Sequence, residues 1–155
     1  MKILLPVDGT ARTQAAVRFA VALSRAGVPL EAIVLHVQPV FHRHIAQFTS
    51  RAARDAFRAE RSRAALTPAL EELVRLRVPC RALTERGQPA ERIAAVAVRE
   101  RMDAIIMAAG RTAEQVMGRT DIPVTMAGGG PPSALERYAL PAGLGALAAL
   151  MWAAD

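Results

Sequence analysis

Three short stretches carry residue types whose spacing could do chemistry. Asp8-Gly9-Thr10 follows the apolar run ILLPV and sets a carboxylate in a turn. His36-Val37 closes the apolar run AIVLHV. Ala109-Gly110-Arg111-Thr112 follows the apolar run DAIIM, and a helical pattern begins in MAAGRTAEQV with almost no loop before it. A polyphosphate cradle needs several backbone N–H groups turned toward one point, and glycines let the chain approach closely and take positive φ. One glycine in a minimal turn cannot supply that. A helix start with Arg111 beside it still attracts phosphate or sulfate. Thr112 and Gln115 have capping-box spacing, in which the Thr oxygen takes the N3 N–H and the Gln returns to the cap. That helix start is expected to satisfy itself.

Other reactive residue types read as structural. His42 and His44 form an H-x-H pair, but no neighbouring Cys, Asp or Glu completes a metal site, so a solvated loop and no metal are expected. His36 lies on a buried strand and is expected to pack or line a cleft, since buried polar groups find partners. Cys80 has no base or oxyanion donor nearby in sequence and reads as an inert strand thiol. Asp8 in a D-G-T turn is expected to order that turn, with catalysis the lesser alternative. No catalytic residue is assigned. Arg51, Arg54, Arg58 and Arg61 share one helix face and read as a wet face partly paired with Asp55 and Glu60.

The elements that must position these residues alternate. With 155 residues, one domain can bury a sizeable core. Buried strands are expected over Lys2–Val7, Glu31–Val37 and Asp103–Ala109, an edge strand over Cys80–Arg86, and a fifth strand over Ile122–Ala127 with Pro123 near its start. Between them come helical patterns. Ala11 to Ala26 has Thr10 as its N-cap and buries Ala15, Ala16, Phe19, Ala20, Leu23 and Ala26. Ser50 to about Arg77 offers Phe57, Ala64, Ala65, Leu66, Ala69, Leu70, Leu73 and Leu76 for burial, with Pro68 either kinking it or opening a second helix. A third helix starts at Pro89 and buries Ile93, Ala94, Val96, Ala97 and Met102. A short fourth, TAEQVMG, stops at Gly118. This β-α alternation predicts an α/β fold: a parallel sheet with helices on both faces, binding ligands at the carboxyl ends of its strands where their order reverses.

Together MKILLPVDGT, AIVLHV, ERGQPAERIAAVAVRERMDAIIMAA and AEQVMGRTDIPVTMA resemble, in order and spacing, the universal stress protein family over residues 1–127. The resemblance implies a five-stranded parallel sheet of order 3-2-1-4-5 and a homodimer. It divides members into those that bind ATP and those that do not. In binding members the Asp after strand one, here Asp8, and the main chain ending strand two, here Val37, hold adenosine. A G-x2-G-x9-G-[ST] loop after strand four wraps the phosphates. This sequence departs from that loop. Residue 108 is Ala, Gly110 is followed by Gly118 after seven residues, and Arg119 stands where Ser or Thr belongs. Roughly ten residues of loop are absent on that alignment.

The expected function is therefore a non-enzymatic stress-response or regulatory module with ATP binding lost and no cofactor. The alternative is an ATP- or AMP-binding member with at most slow hydrolysis. Any retained nucleotide or anion site would use Asp8, Val37, Gly110, Arg111 and Thr112. The net charge of +6, with Lys2 the sole lysine, comes without charge runs or aromatic–basic interleaving, so no nucleic-acid partner is expected. An unidentified regulatory protein is the expected partner. One cysteine and no secretory pattern at the N-terminus lead to a cytoplasmic expectation. Residues 128–133, GGGPPS, read as a linker. Residues 134–155 form an apolar tail, uncharged from Tyr138 to Ala154, expected to dock on its own domain or a dimer mate, with membrane contact not favoured.

Overall fold

The computed structural model describes residues 1–40 and 50–128. The H-x-H pair, most of the linker and the apolar tail lie outside the described residues. The elements are β1 (Lys2–Pro6), α1 (Gln14–Arg25), β2 (Glu31–Gln38), α2 (Arg51–Arg75), β3 (Cys80–Arg86), α3 (Pro89–Arg99), β4 (Ala104–Ala108), α4 (Arg111–Met117) and β5 (Val124–Ala127). All neighbouring strands pair in parallel, in the order β3-β2-β1-β4-β5. This is the expected sheet.

The period-2 alternation of strand side chains divides the core in two. Ile3, Leu5, Val7, Val34 and Ile106 face α1 and α2, meeting Val17, Ala20, Leu66 and Leu73. Leu4, Ile33, Leu35, Ile105 and Met107 face α3 and α4, meeting Ile93, Val96, Ala97 and Val116. With both faces covered, β1, β2 and β4 read as continuous apolar runs. Pro6 is tolerated in central β1 because it is the last strand residue, and the next amide, Val7 N–H, resumes pairing by donating to the Leu35 carbonyl at 2.8 Å. Lys2 and Asp103 tie the other end: Lys2 N–H donates to Asp103 Oδ2 at 2.7 Å, and Asp103 N–H to the Lys2 carbonyl at 2.8 Å.

Several local expectations are corrected. The first helix starts at Gln14, not Ala11, because Thr10 is not its cap. The Thr10 hydroxyl donates to Asp8 Oδ1 at 2.7 Å, and Thr13 takes the N-cap position without a side-chain cap bond. Residues 10–13 form a turn closed by the Thr13 amide and hydroxyl, both directed at the Thr10 carbonyl. The Thr112–Gln115 capping box is also absent: Gly110 is the N-cap of α4, so Thr112 already lies inside the helix. Pro68 does not divide α2, which runs through it as one helix. Ser50 caps that helix, accepting from Ala53 N–H at 3.1 Å. Phe57, expected to be buried, is 56% exposed, and Ala64 and Ala26 are exposed as well. The first half of α2 reaches past the sheet, and Phe57 there carries the Arg61 guanidinium 5.8 Å from its ring centroid.

At the β3 border a chain of ion pairs joins strand to helix. Arg81 pairs with Glu100, Glu100 with Arg99 at 3.1 Å, and Arg99 with Glu85 at 2.8 Å.

Candidate functional site

The strand order turns back at β1, whose neighbours are β2 on one side and β4 on the other. Their carboxyl ends diverge there, and a cleft of about 270 Å³ opens on the α3/α4 face. It sits near the small end of ligand clefts, which run from about 300 to 1,000 Å³. Pro6, Val7, Leu35, Val37, Ile93 and Met107 make its apolar wall. Asp8, Arg12, Thr13, Arg111 and Thr112 supply its polar side chains, and Gly110 its floor at the β4–α4 turn. Asp8, Val37, Gly110, Arg111 and Thr112 thus come together in one cleft although they arise from three separate junctions.

His36 does not join them. Alternation sends Val37 into the cleft and His36 to the opposite face, where it is buried. Its Nδ1 lies 3.0 Å from the Val7 carbonyl. That oxygen can only accept, so Nδ1 carries the proton. Val7 is held at both its amide and its carbonyl, which fixes the chain one residue before Asp8. Gln38, also buried, does similar work for α2: its Nε2 donates to the Arg58 carbonyl at 2.7 Å and the Ser62 hydroxyl at 2.6 Å.

Asp8 orders its own turn. Thr10 donates to Oδ1 through both its amide, at 2.9 Å, and its hydroxyl. Burial pushes the Asp8 carboxyl up. The Thr10 hydroxyl and amide, with a smaller part from Thr13, outweigh that and hold it below the usual carboxylate range. Asp8 is therefore a carboxylate at neutral pH with acceptor capacity to spare. Gly9 turns the chain at φ +82, and a Cβ there would stand 3.3 Å from the Ala65 Cα of α2.

Beside Asp8 in the cleft, two residues, Ala109 and Gly110, link β4 to α4. The Ala109 N–H is committed to the Ala127 carbonyl at 3.2 Å. Gly110 adopts φ 150 and ψ 179, a conformation essentially restricted to glycine. Gly118, the other glycine of this stretch, is the C-cap of α4 at its far end and does not line the cleft. The link between β4 and α4 is therefore two residues long, with one of its two amides already paired.

Sequence reasoning missed Arg12. It sits two residues past Thr10, in what reads as an ordinary helix start. Only the turn at residues 10–13 swings it across to Gly110, where its Nη1 lies 3.4 Å from the place a Cβ would occupy. Pro89 and Ile93 were missed as lining residues because helix position does not reveal which strand ends a helix overhangs.

The remaining candidates lie elsewhere. Burial raises the Cys80 thiol above its ordinary value, which favours its protonated form at the β3 edge. On α2, Arg58 pairs with Asp55 at 3.1 Å, while Glu60 pairs with Arg63 rather than with the four-arginine face. Among the described residues no group of three His, Cys, Asp or Glu could hold a metal ion, and no helix is long and apolar enough to cross a membrane.

A sequence model of the Universal stress protein family matches residues 1–128. No curated protein matches the chain. Solved structures share its fold. A protein from the universal stress protein family of Burkholderia pseudomallei is 24% identical at a TM-score of 0.67, over 81% of this chain and 93% of that one. A universal stress protein family protein of Arabidopsis thaliana with AMP bound is 17% identical at a TM-score of 0.66, over 92% and 96% of the two chains. The universal stress protein of Archaeoglobus fulgidus in complex with dAMP is 24% identical at a TM-score of 0.60, over 80% and 94%.

Proposed function

The chain belongs to the universal stress protein family, and from that premise we propose that it is a non-enzymatic regulatory module of the stress response that keeps a nucleoside cleft and lacks a triphosphate cradle. In this reading it works in the cytoplasm as a homodimer and acts through a protein partner, without nucleic acid or a membrane.

The observation that carries the reading is the two-residue link between β4 and α4 beside a small cleft with an apolar wall. Apolar side chains from β1, β2, β4 and α3 offer a surface for a flat base. Asp8 offers a carboxylate to hydroxyl or amino donors in the same cleft. Past Gly110 there is no length of chain to enclose a β- or γ-phosphate, and Ala109 has already spent its amide on β5. The AMP- and dAMP-bound relatives make an adenine nucleoside the natural ligand to test.

Titration calorimetry of the full chain with adenosine, AMP and Mg-ATP, joined to a phosphate-release assay, tests it. Binding of adenosine or AMP, with weaker Mg-ATP binding and no phosphate release, is the expected result. Mg-ATP binding tighter than AMP, or steady turnover of ATP, would overturn it.

A further inference from the structure

We propose that Arg12 and Arg111 form a two-guanidinium clamp for one phosphate group, which makes the cleft selective for a nucleoside monophosphate. The proposal rests on the nucleoside reading of the cleft and adds the group that selects among nucleosides and their phosphates.

Arg12 and Arg111 reach the cleft from different elements. Arg12 comes from the turn that precedes α1, and Arg111 is the first residue of α4. Gly110 lies between them. Its lack of a side chain keeps the ground in front of Arg12 Nη1 open. Both side chains are exposed, and neither has a hydrogen bond or ion pair among the described residues. Among the described residues Arg58, Arg63, Arg75, Arg81, Arg92 and Arg99 each hold a carboxylate within 3.1 Å, whereas Arg12 and Arg111, like Arg86, hold none.

The cleft's charges are also separated. Asp8 is its carboxylate, and Thr10 occupies the Asp8 Oδ1. Among the described residues no ion pair joins it to Arg12 or Arg111, so both guanidiniums stay available to an anion. A ligand that carries hydroxyl or amino donors for Asp8 and a compact dianion for the guanidiniums suits that set of charges. Planar guanidinium forks match phosphate oxygens two at a time. Two forks satisfy one phosphate. A second and third phosphate would stand past the guanidiniums, where the two-residue turn gives them no amides.

The test compares wild type with Arg12→Gln, Arg111→Gln and the double variant, each checked for an unchanged melting temperature. Calorimetry with adenosine and AMP is joined to a ³¹P NMR titration with inorganic phosphate. Wild type is expected to bind AMP roughly tenfold to a hundredfold more tightly than adenosine, the range of charge-assisted hydrogen bonds. In the double variant that preference should fall to near unity while adenosine affinity stays put, and phosphate binding should vanish. Equal wild-type affinity for AMP and adenosine, or a preference that survives the double substitution, would overturn the clamp. Phosphate binding lost with the arginines in a chain that ignores adenosine would sustain the clamp and sink the nucleoside reading instead.

Discussion

Gly110 and Gly118 look alike in sequence, eight positions apart, yet replacing each by alanine should move stability in opposite directions. Gly110 holds φ 150 and ψ 179. An alanine has no comfortable well there, and holding it costs on the order of 1–3 kcal/mol. The new methyl would also press on Arg12 Nη1 at 3.4 Å, but that is the free end of a flexible side chain and can move aside. Gly118 sits at φ −76 and ψ 1, where alanine fits, and its nearest neighbour to an added Cβ is 3.8 Å away. There the substitution mainly restricts the unfolded chain and should stabilise by about 0.4–1 kcal/mol. For a domain of this size each kcal/mol shifts the melting temperature by about 2–4 °C. Gly110→Ala should therefore melt roughly 2–12 °C below wild type and Gly118→Ala slightly above it, as read by calorimetric melting and urea denaturation side by side. If Gly110→Ala melts with wild type, or if both variants fall together, the tight turn does not impose the backbone described here.

Three other perturbations probe the supports of the site. Asp8 titrates below the unfolded carboxylate value of about 3.9, so its contribution is complete above that pH and fades as pH falls through the lower folded value. Urea midpoints of wild type and Asp8→Asn between pH 3 and 7 should differ by a constant amount near neutrality and converge in acid; a gap that persists at the lowest pH contradicts this. Pro68 is exposed inside α2 and has no N–H for the Ala64 carbonyl, so Pro68→Ala should raise stability by about 1–3 kcal/mol, and an unchanged urea midpoint would mean the helix already accommodates the ring at no cost. Gln38→Leu strips the buried Ser62 hydroxyl of its donor and should lower stability by about 1–3 kcal/mol; equal melting of variant and wild type would show that α2 is held by its apolar face alone.

Much of this architecture was legible in the chain because strands buried on both faces leave uninterrupted apolar runs. The runs at Lys2, Glu31 and Asp103 mark β1, β2 and β4 to within a residue or two at each end. Helix α3 was clearest of all, with Pro89 opening it and its apolar stripe buried as expected. Local signals failed where a side chain had a competing partner. Thr10 looks like a helix cap, but Asp8 two residues earlier takes its hydroxyl. Thr112 and Gln115 have the right spacing, but the chain enters α4 two residues earlier, through Gly110. Phe57 fits an apolar periodicity, but the sheet it would cover ends before that part of α2. Arg12 left no trace in sequence, since its place beside Gly110 comes from folding elements about a hundred residues apart.

The chain of charges along β3 bears on how the sheet can grow. β3 is a border strand, and an unpaired row of amides and carbonyls is an invitation to any extended segment that drifts against it. Here Arg81 and Glu85 are tethered to Glu100 and Arg99, and Arg86 is exposed at the strand's end. An incoming strand would have to crowd those ions and strip their water to zip onto the backbone behind them. Polymerisation from that flank is thus discouraged by the same residues that fasten it to α3, and the sheet is charged along one margin like a hem sewn shut.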